Sequence, residues 1–350
     1  MSVRLLVALL ALAVLPPAFP ARTRRHNVRN PANNATDPVV VARRVWNGVH
    51  SGDRQRPFIL VMQANDAMVP MINNWLCNTR HMEGVHERLV LVMSDARGYA
   101  AMRQNAHGVA VAQLASTIPE LQTSQPYGSY GYWKLTELRV QTLRDMVRVG
   151  ISFLNVEPDA VWIRNPLSDN DFIAAAARHE VVIASDKKGP DGPFMLTFGF
   201  LLVRSNSKTV SLFDMLQSSA SAGIRGLGRH EYDDSVVGGD HSAVAAISEQ
   251  MLLQKMLEKG AFDVTYSALN LCTYASGQWY DPANFQLRET CLVRHGPPVV
   301  INNNWIIGND AKIDRAKQWG HWFVDGDGGC DDTLLARAVA SGVLPPVAAG

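Results

Sequence analysis

Along this chain, short apolar runs that stop at polar clusters alternate with longer stretches of helical spacing, the pattern of strands and helices laid down in turn. Residues 57–62 are a continuous apolar run and 88–93 a second strand-like run that opens on Arg88, and each ends in polar residues: Gln63-Ala64-Asn65-Asp66 in the first, Ser94-Asp95 in the second. Runs without alternation predict strands covered on both faces. A helical stretch to about Arg80 lies between them, so strand, helix and strand predict a right-handed parallel unit. Asn65 and Asp95 then fall at carboxyl ends, where open sheets bind ligands. Residues 107–115 predict a third strand. Residues 133–149 predict a helix whose apolar face (Leu135, Leu138, Leu143, Met146, Val147) is interrupted by Arg139. Further strands are predicted at 151–156, 180–186 and 198–205. Between these elements the pattern predicts a Gly/Tyr-rich loop at 124–132, a short helix at 208–217, a mobile Ser/Gly-rich connection at 218–240 and a helix capped by Ser248.

The strand at 151–156 is the one around which the chemistry gathers, because it ends in Glu157-Pro158-Asp159. Proline gives the ladder no donor and biases its predecessor away from helix, so the two acids leave the sheet on a short turn. Two carboxylates at a strand's carboxyl end suit a hard divalent cation, Mn²⁺ or Mg²⁺, that keeps open positions for phosphate oxygens. The same acids can also serve simply as turn and capping residues.

Composition narrows the partners. The 350 residues carry 33 basic and 32 acidic side chains, which gives no electrostatic reason to expect nucleic acid or an anionic membrane. With 47% apolar residues and no low-complexity interruption from 57 to 325, one large α/β domain is expected. Residues 1–21 read as a signal peptide or short signal anchor: Arg4, an apolar run at 5–15, then a proline-rich stretch. Residues 22–56 read as a polar stem containing the Asn34-Ala35-Thr36 sequon. Residues 326–350 read as a tail. The chain is therefore expected in the secretory pathway, in the Golgi lumen or secreted, and a membrane is met only through the N-terminal segment. Four cysteines in that compartment predict disulfides, since no C-x-x-C or clustered histidine spacing suggests zinc. Of the three connectivities, Cys272–Cys291 with Cys77–Cys330 is preferred: the first closes a short loop, and the second ties the tail to an early helix.

Several segments, in order, resemble the nucleotide-diphospho-sugar transferase family, whose members include retaining plant and algal galactosyl-, xylosyl- and arabinosyltransferases. Ala160-Val161-Trp162-Ile163-Arg164-Asn165-Pro166 is similar to the run after that family's acidic turn, and Asn73-Asn74-Trp75-Leu76-Cys77 to its opening segment. Gly199-Phe200 through Arg204 resembles the strand behind the donor sugar, although Thr197-Phe198 stands where the family has Asn-Thr. Asn304-Trp305, Gly308 and Lys312 resemble its diphosphate segment, with Asn302 in place of a metal-binding histidine. Glu157 likewise replaces the family's first aspartate.

The resemblance implies a glycosyltransferase A-type α/β/α sandwich with a mixed, mostly parallel sheet, a UDP-sugar donor with Mn²⁺ or Mg²⁺, and a glycan or glycoprotein acceptor. It places Asn65 and Asp95 at the nucleoside, Lys134, Gly308 and Lys312 at the diphosphate, and Gly199 behind the sugar. Glu157, Asp159 and Asn302 fall at the metal. Asp159, with Glu249 (or Asp240) at the acceptor hydroxyl, would carry catalysis. Asn302 and Thr197-Phe198 keep a second reading open, that of a catalytically inactive secreted sugar- or nucleotide-binding protein on the same fold.

Overall fold

The computed structural model describes residues 35–53, 56–105, 108–114, 125–187, 194–226 and 247–340. Seven strands form its main sheet: β1 (Ile59–Ala64), β2 (Leu89–Met93), β3 (Ala110–Gln113), β4 (Phe153–Val156), β6 (Val181–Lys187), β7 (Phe194–Val203) and β8 (Tyr266–Leu269). Their order is β3-β2-β1-β4-β7-β6-β8. β1, β2, β3 and β4 pair in parallel, as do β6 and β8, while β7 runs against both β4 and β6. A second sheet, ordered β5-β10-β9, joins β5 (Val161–Trp162), β9 (Tyr274–Ala275) and β10 (Val300–Ile301) beside the carboxyl end of β4.

Both faces of the main sheet are buried, as its unbroken apolar runs require. Leu60 and Met62 of β1 face one core, which they share with helix α2 (Val69–Thr79), α3 (Ala96–Asn105) and α5 (Asn170–Arg178) through Ile72, Trp75, Met102 and Phe172. Ile59 and Val61 face the other, against α1 (Pro38–Gly52), α4 (Tyr130–Arg148), α6 (Ser207–Gly226) and α7 (Glu249–Glu258). Helices α8 (Phe285–His295), α9 (Asn309–Gln318) and α10 (Asp332–Ala340) surround the small sheet's side of the molecule. The result is a helix, sheet and helix sandwich.

Several expectations need correction. Residues 38–52, read as stem, form α1 and pack Val41, Ala42 and Val49 against the sheet. The helix start is local: Asp37 Oδ1 accepts from the Val39 and Val40 amides at 2.9 and 3.2 Å, and Pro38 holds the first position. The polar composition upstream hid that signal. Tyr130-Gly131-Tyr132, read as loop, opens α4 because Ser129 accepts from the Tyr132 amide at 3.2 Å. The helix expected to end at 217 runs to Gly226. The tail is folded as far as residue 340, with Leu335 and Ala338 in a core formed around the small sheet.

Both disulfides have the preferred connectivity, Cys77–Cys330 and Cys272–Cys291. Among the described residues no helix is long and apolar enough to cross a membrane. The leader at 1–21, Asn34 of the sequon, residues 227–246 with Asp240, and residues 341–350 lie outside the described residues.

Candidate functional site

The site forms where β4 leaves the main sheet. The β4 ladder ends at Val156, Pro158 has no amide to extend it, and the Ala160 amide closes a turn onto the Glu157 carbonyl at 3.2 Å. The chain then joins the small sheet. Asn78 clamps that entry by accepting from the Trp162 amide (2.8 Å) and donating to the Trp162 carbonyl (3.0 Å). Asp159 is thereby held buried, and Glu157 half-buried.

The opposite wall arrives on β10, antiparallel to β5 with Ile301 beside Val161. Immediately after it, the buried Asn302 donates through Nδ2 to Glu157 Oε2 at 3.1 Å. Asn303 and Asn304 anchor the following loop: Asn303 donates to the Lys312 carbonyl (2.9 Å), and Asn304 accepts the Gly277 amide (2.6 Å). Gly308, at φ +97°, makes the left-handed step that glycine permits and starts α9. Lys312 on that helix donates to Asp159 Oδ2 at 2.6 Å.

A third contribution comes from β7, whose pairing with β6 skips from Leu201 to Thr197, so that residues 198–200 bulge toward the acids. The bulge is held on purpose-made partners: the Phe198 amide donates to Gln250 Oε1 at 3.2 Å, and its carbonyl accepts from Asn155 Nδ2 at 2.8 Å. Gly199 sits against the site so closely that a Cβ there would overlap Asn302 Nδ2 and the Glu157 carboxylate.

Charges are balanced from two sides. Arg139 on α4 lies 3.3 Å from Glu157 Oε1 and also pairs with the buried Glu249, while its guanidinium stacks 5.1 Å from the Phe198 ring. Burial raises the Glu157 pKa, and Asp159 adds to the rise, with Arg139, Lys312 and Asn302 opposing it. Burial works against the Lys312 charge, but the Asp159 and Glu157 carboxylates outweigh it and raise the lysine's pKa. Arg139 behaves in the same way between Glu249 and Glu157.

Glu157, Asp159, Asn302, Gly199 and Lys312 thus lie together, Glu249 joins them through Arg139, and Gly308 starts the helix that carries Lys312. Asp95 is buried with both carboxylate oxygens occupied, accepting from the Asp66 amide (2.8 Å) and the Gly98 amide (2.7 Å). It therefore pins the loop after β1, next to the buried Asn65, and caps α3. Lys134 pairs with Glu137 on its own helix and lies 6.0 Å from the Tyr130 ring, and Arg139 is the α4 cation that reaches the acids.

In the sequence Arg139 reads as an interruption of an apolar face, and a charge among core positions is the signal that singles it out. Asp186 and Trp305 were also missed. Asp186 is buried at the end of β6 and accepts from Asn304 Nδ2 (3.0 Å) and from Trp305 Nε1. Arg315, a further omission, donates to Asn303 Oδ1 at 2.7 Å and stacks 4.8 Å from Tyr280.

The donor set suits a hard cation. Asn302 Oδ1 is buried with no hydrogen-bond partner, Glu157 and Asp159 add carboxylate oxygens, and Gly199 leaves the space that a side chain would fill. Among the described residues no group of three His, Cys, Asp or Glu side chains that could hold a metal ion occurs.

Residues 84–316 match the family model described as nucleotide-diphospho-sugar transferase. The chain belongs to the nucleotide-diphospho-sugar transferase family, a family of glycosyltransferases, and its layered, mostly parallel mixed sheet forms an α/β/α sandwich. A relative from Arabidopsis thaliana, UDP-D-xylose:L-fucose alpha-1,3-D-xylosyltransferase 3, is 23% identical over 270 residues, covering 76% of this chain and 67% of that protein. A beta-arabinofuranosyltransferase of the same plant is 22% identical, covering 78% of this chain and 49% of that protein. The solved structure of mouse xyloside xylosyltransferase 1 in its apo form superposes with a TM-score of 0.42 at 12% identity, covering 71% of this chain and 98% of that one.

Proposed function

We propose that this chain transfers a sugar from a nucleoside diphosphate, UDP, to a hydroxyl of a glycan or glycoprotein, with retention at the anomeric carbon. The observation that carries the reading is the acidic turn at the end of β4, closed by Lys312 on Asp159 and by Asn302, whose buried Oδ1 awaits a partner. The family supplies the donor class, and the Arabidopsis relatives direct attention to pentose donors such as UDP-xylose. Retention rests on the family resemblance alone.

Glu157, Asp159 and Asn302 would hold Mn²⁺ or Mg²⁺, which supplies charge neutralisation at the diphosphate. Lys312 places its ammonium where negative charge builds on the leaving group. Gly308 and the first turn of α9 bring backbone amides to the same place. Asn65 contacts the nucleoside at the end of β1, with Asp95 holding that loop in position. Glu249, neutralised by Arg139, orients the acceptor side rather than acting as a free base. Gly199 keeps the floor of the site open. Lys134, bound to Glu137, takes its place at the diphosphate only by exchanging that partner.

The leader-like N-terminus and the two disulfides support a site of action in the secretory pathway, as a Golgi or secreted enzyme. A second reading, binding without turnover, is favoured by one observation: Asn302 turns its amide donor, not its oxygen, toward Glu157. Release of UDP from a panel of UDP-sugars with Mn²⁺, measured for wild type and Asp159→Asn, separates the two. Turnover in wild type that the variant lacks supports transfer, and equal release leaves the binding protein.

A further inference from the structure

Trp305 is the only one of the eight tryptophans that is exposed, at 39% of its surface, and it is held there against two costs. Its backbone adopts φ +59°, a region that bulky residues enter only when their surroundings impose it. The imposition is visible. Its indole N–H is bound to both oxygens of the buried Asp186 at 3.0 and 2.9 Å. The preceding Asn304 is fixed by Asp186, by the Gly277 amide and by Arg315 on its carbonyl. A large apolar ring is thus strained, tethered by its edge to Asp186 and left partly exposed, where burial would have stabilised it.

Position says what the ring meets. β4 and β6 run in the same direction, each antiparallel to the β7 between them, so Glu157-Pro158-Asp159 and Asp186 lie on one edge of the sheet about 10 Å apart. Asn65 and Asp95 follow β1 and β2, on the other side of β4. With the nucleoside toward β1 and β2 and the diphosphate at β4, the β6 side belongs to what the diphosphate carries or is transferred to. The negative face of an indole attracts the polarised C–H groups of a sugar ring.

We propose that Trp305, tethered by Asp186, is a stacking platform for a sugar ring, that of the donor or of the acceptor. This rests on the nucleotide-sugar reading above. The test uses the full chain with ¹⁵N-labelled indoles, in which Trp305 Nε1–H is assigned by its loss in Trp305→Phe. Its resonance is followed on adding UDP with Mn²⁺, then UDP-xylose with Mn²⁺, then UDP with Mn²⁺ and, separately, methyl α-L-fucopyranoside, methyl β-D-galactopyranoside or methyl β-D-xylopyranoside. A shift with UDP-xylose beyond that with UDP assigns the donor ring; a shift with a methyl glycoside assigns the acceptor ring.

Calorimetry should show the shifting ligand weakened about threefold to tenfold by Trp305→Ala, less by Trp305→Phe, with UDP itself changed less than about twofold. A shift with UDP alone that no sugar extends assigns the ring to the base and overturns the proposal. UDP binding with no sugar-dependent shift also overturns it and leaves the nucleotide-sugar reading standing. Absence of UDP binding removes both.

Discussion

His321 gives the protein a stability that should fall with pH through one identifiable group. It is 4% exposed, and burial lowers its pKa from 6.5 to about 4. The Tyr280 hydroxyl lies 2.8 Å from Nδ1 and can donate to it only while the ring is neutral. Asn74 fixes the backbone, donating to the His321 carbonyl at 3.0 Å and accepting the Phe323 amide at 2.6 Å. Because the folded pKa lies below the unfolded one, the unfolded chain binds the proton first. The neutral ring's contribution is therefore complete above about pH 6.5 and is lost as pH falls toward 4. The full span is worth about 3 kcal/mol, of which about 2 kcal/mol has gone by about pH 5. Urea unfolding of wild type and His321→Gln at about pH 7.5 and about pH 5 isolates this from the carboxylates that both proteins share. Wild type should lose about 2 kcal/mol more than the variant between the two conditions. A difference below about 0.5 kcal/mol would refute the assignment.

Arg139→Met should destabilise by about 3–5 kcal/mol in denaturant titration, because the buried Glu249 and the half-buried Glu157 lose their cation, and adding Glu249→Gln should recover part of the loss. Gly199→Ala should cost about 1–3 kcal/mol and abolish the gain in UDP affinity on adding Mn²⁺, read by calorimetry, since the new methyl displaces Asn302 and Glu157. Asp159→Ala should remove Mn²⁺-dependent UDP binding whereas Glu157→Gln only weakens it; the reverse ranking would exchange the roles of the two acids. On loop length alone, replacing both Cys77 and Cys330 by serine should cost about 5 kcal/mol against about 3 kcal/mol for Cys272 and Cys291, from separations of 253 and 19 residues.

Strands β1, β2 and β4 could be read from the sequence because each is buried on both faces, whereas β8, with one buried residue in four, could not; the acidic turn could be read because proline ends β4 where two acids stand. Asn302 was visible as a departure from an expected histidine. Other features had no local signature. Arg139 looks like a defect in a helical face until Glu249, 110 positions away, is brought to it. Asp186 reads as an ordinary strand end, and its role exists only through Trp305, 119 positions on. The bulge at 198–200 cannot be seen in a single strand's pattern, because it is a mismatch between two strands. The start of α1 was written in Asp37-Pro38 but submerged in the composition around it.

The small sheet ties the two walls of the site to each other. Two register pairs, Val300 with Trp162 and Ile301 with Val161, join the strand that follows Asp159 to the strand that precedes Asn302. One face of that ladder, with Trp162 and Val300, packs into the main sheet's core, where Trp162 meets Phe200 of β7 edge-on. The other face lies in the core around the small sheet, where Val161 and Ile301 pack with Phe323, Val324 and Cys77, itself bonded to Cys330. The Cys77–Cys330 bond, which joins α2 to the segment before α10, therefore reinforces the core on which the two walls of the site rest.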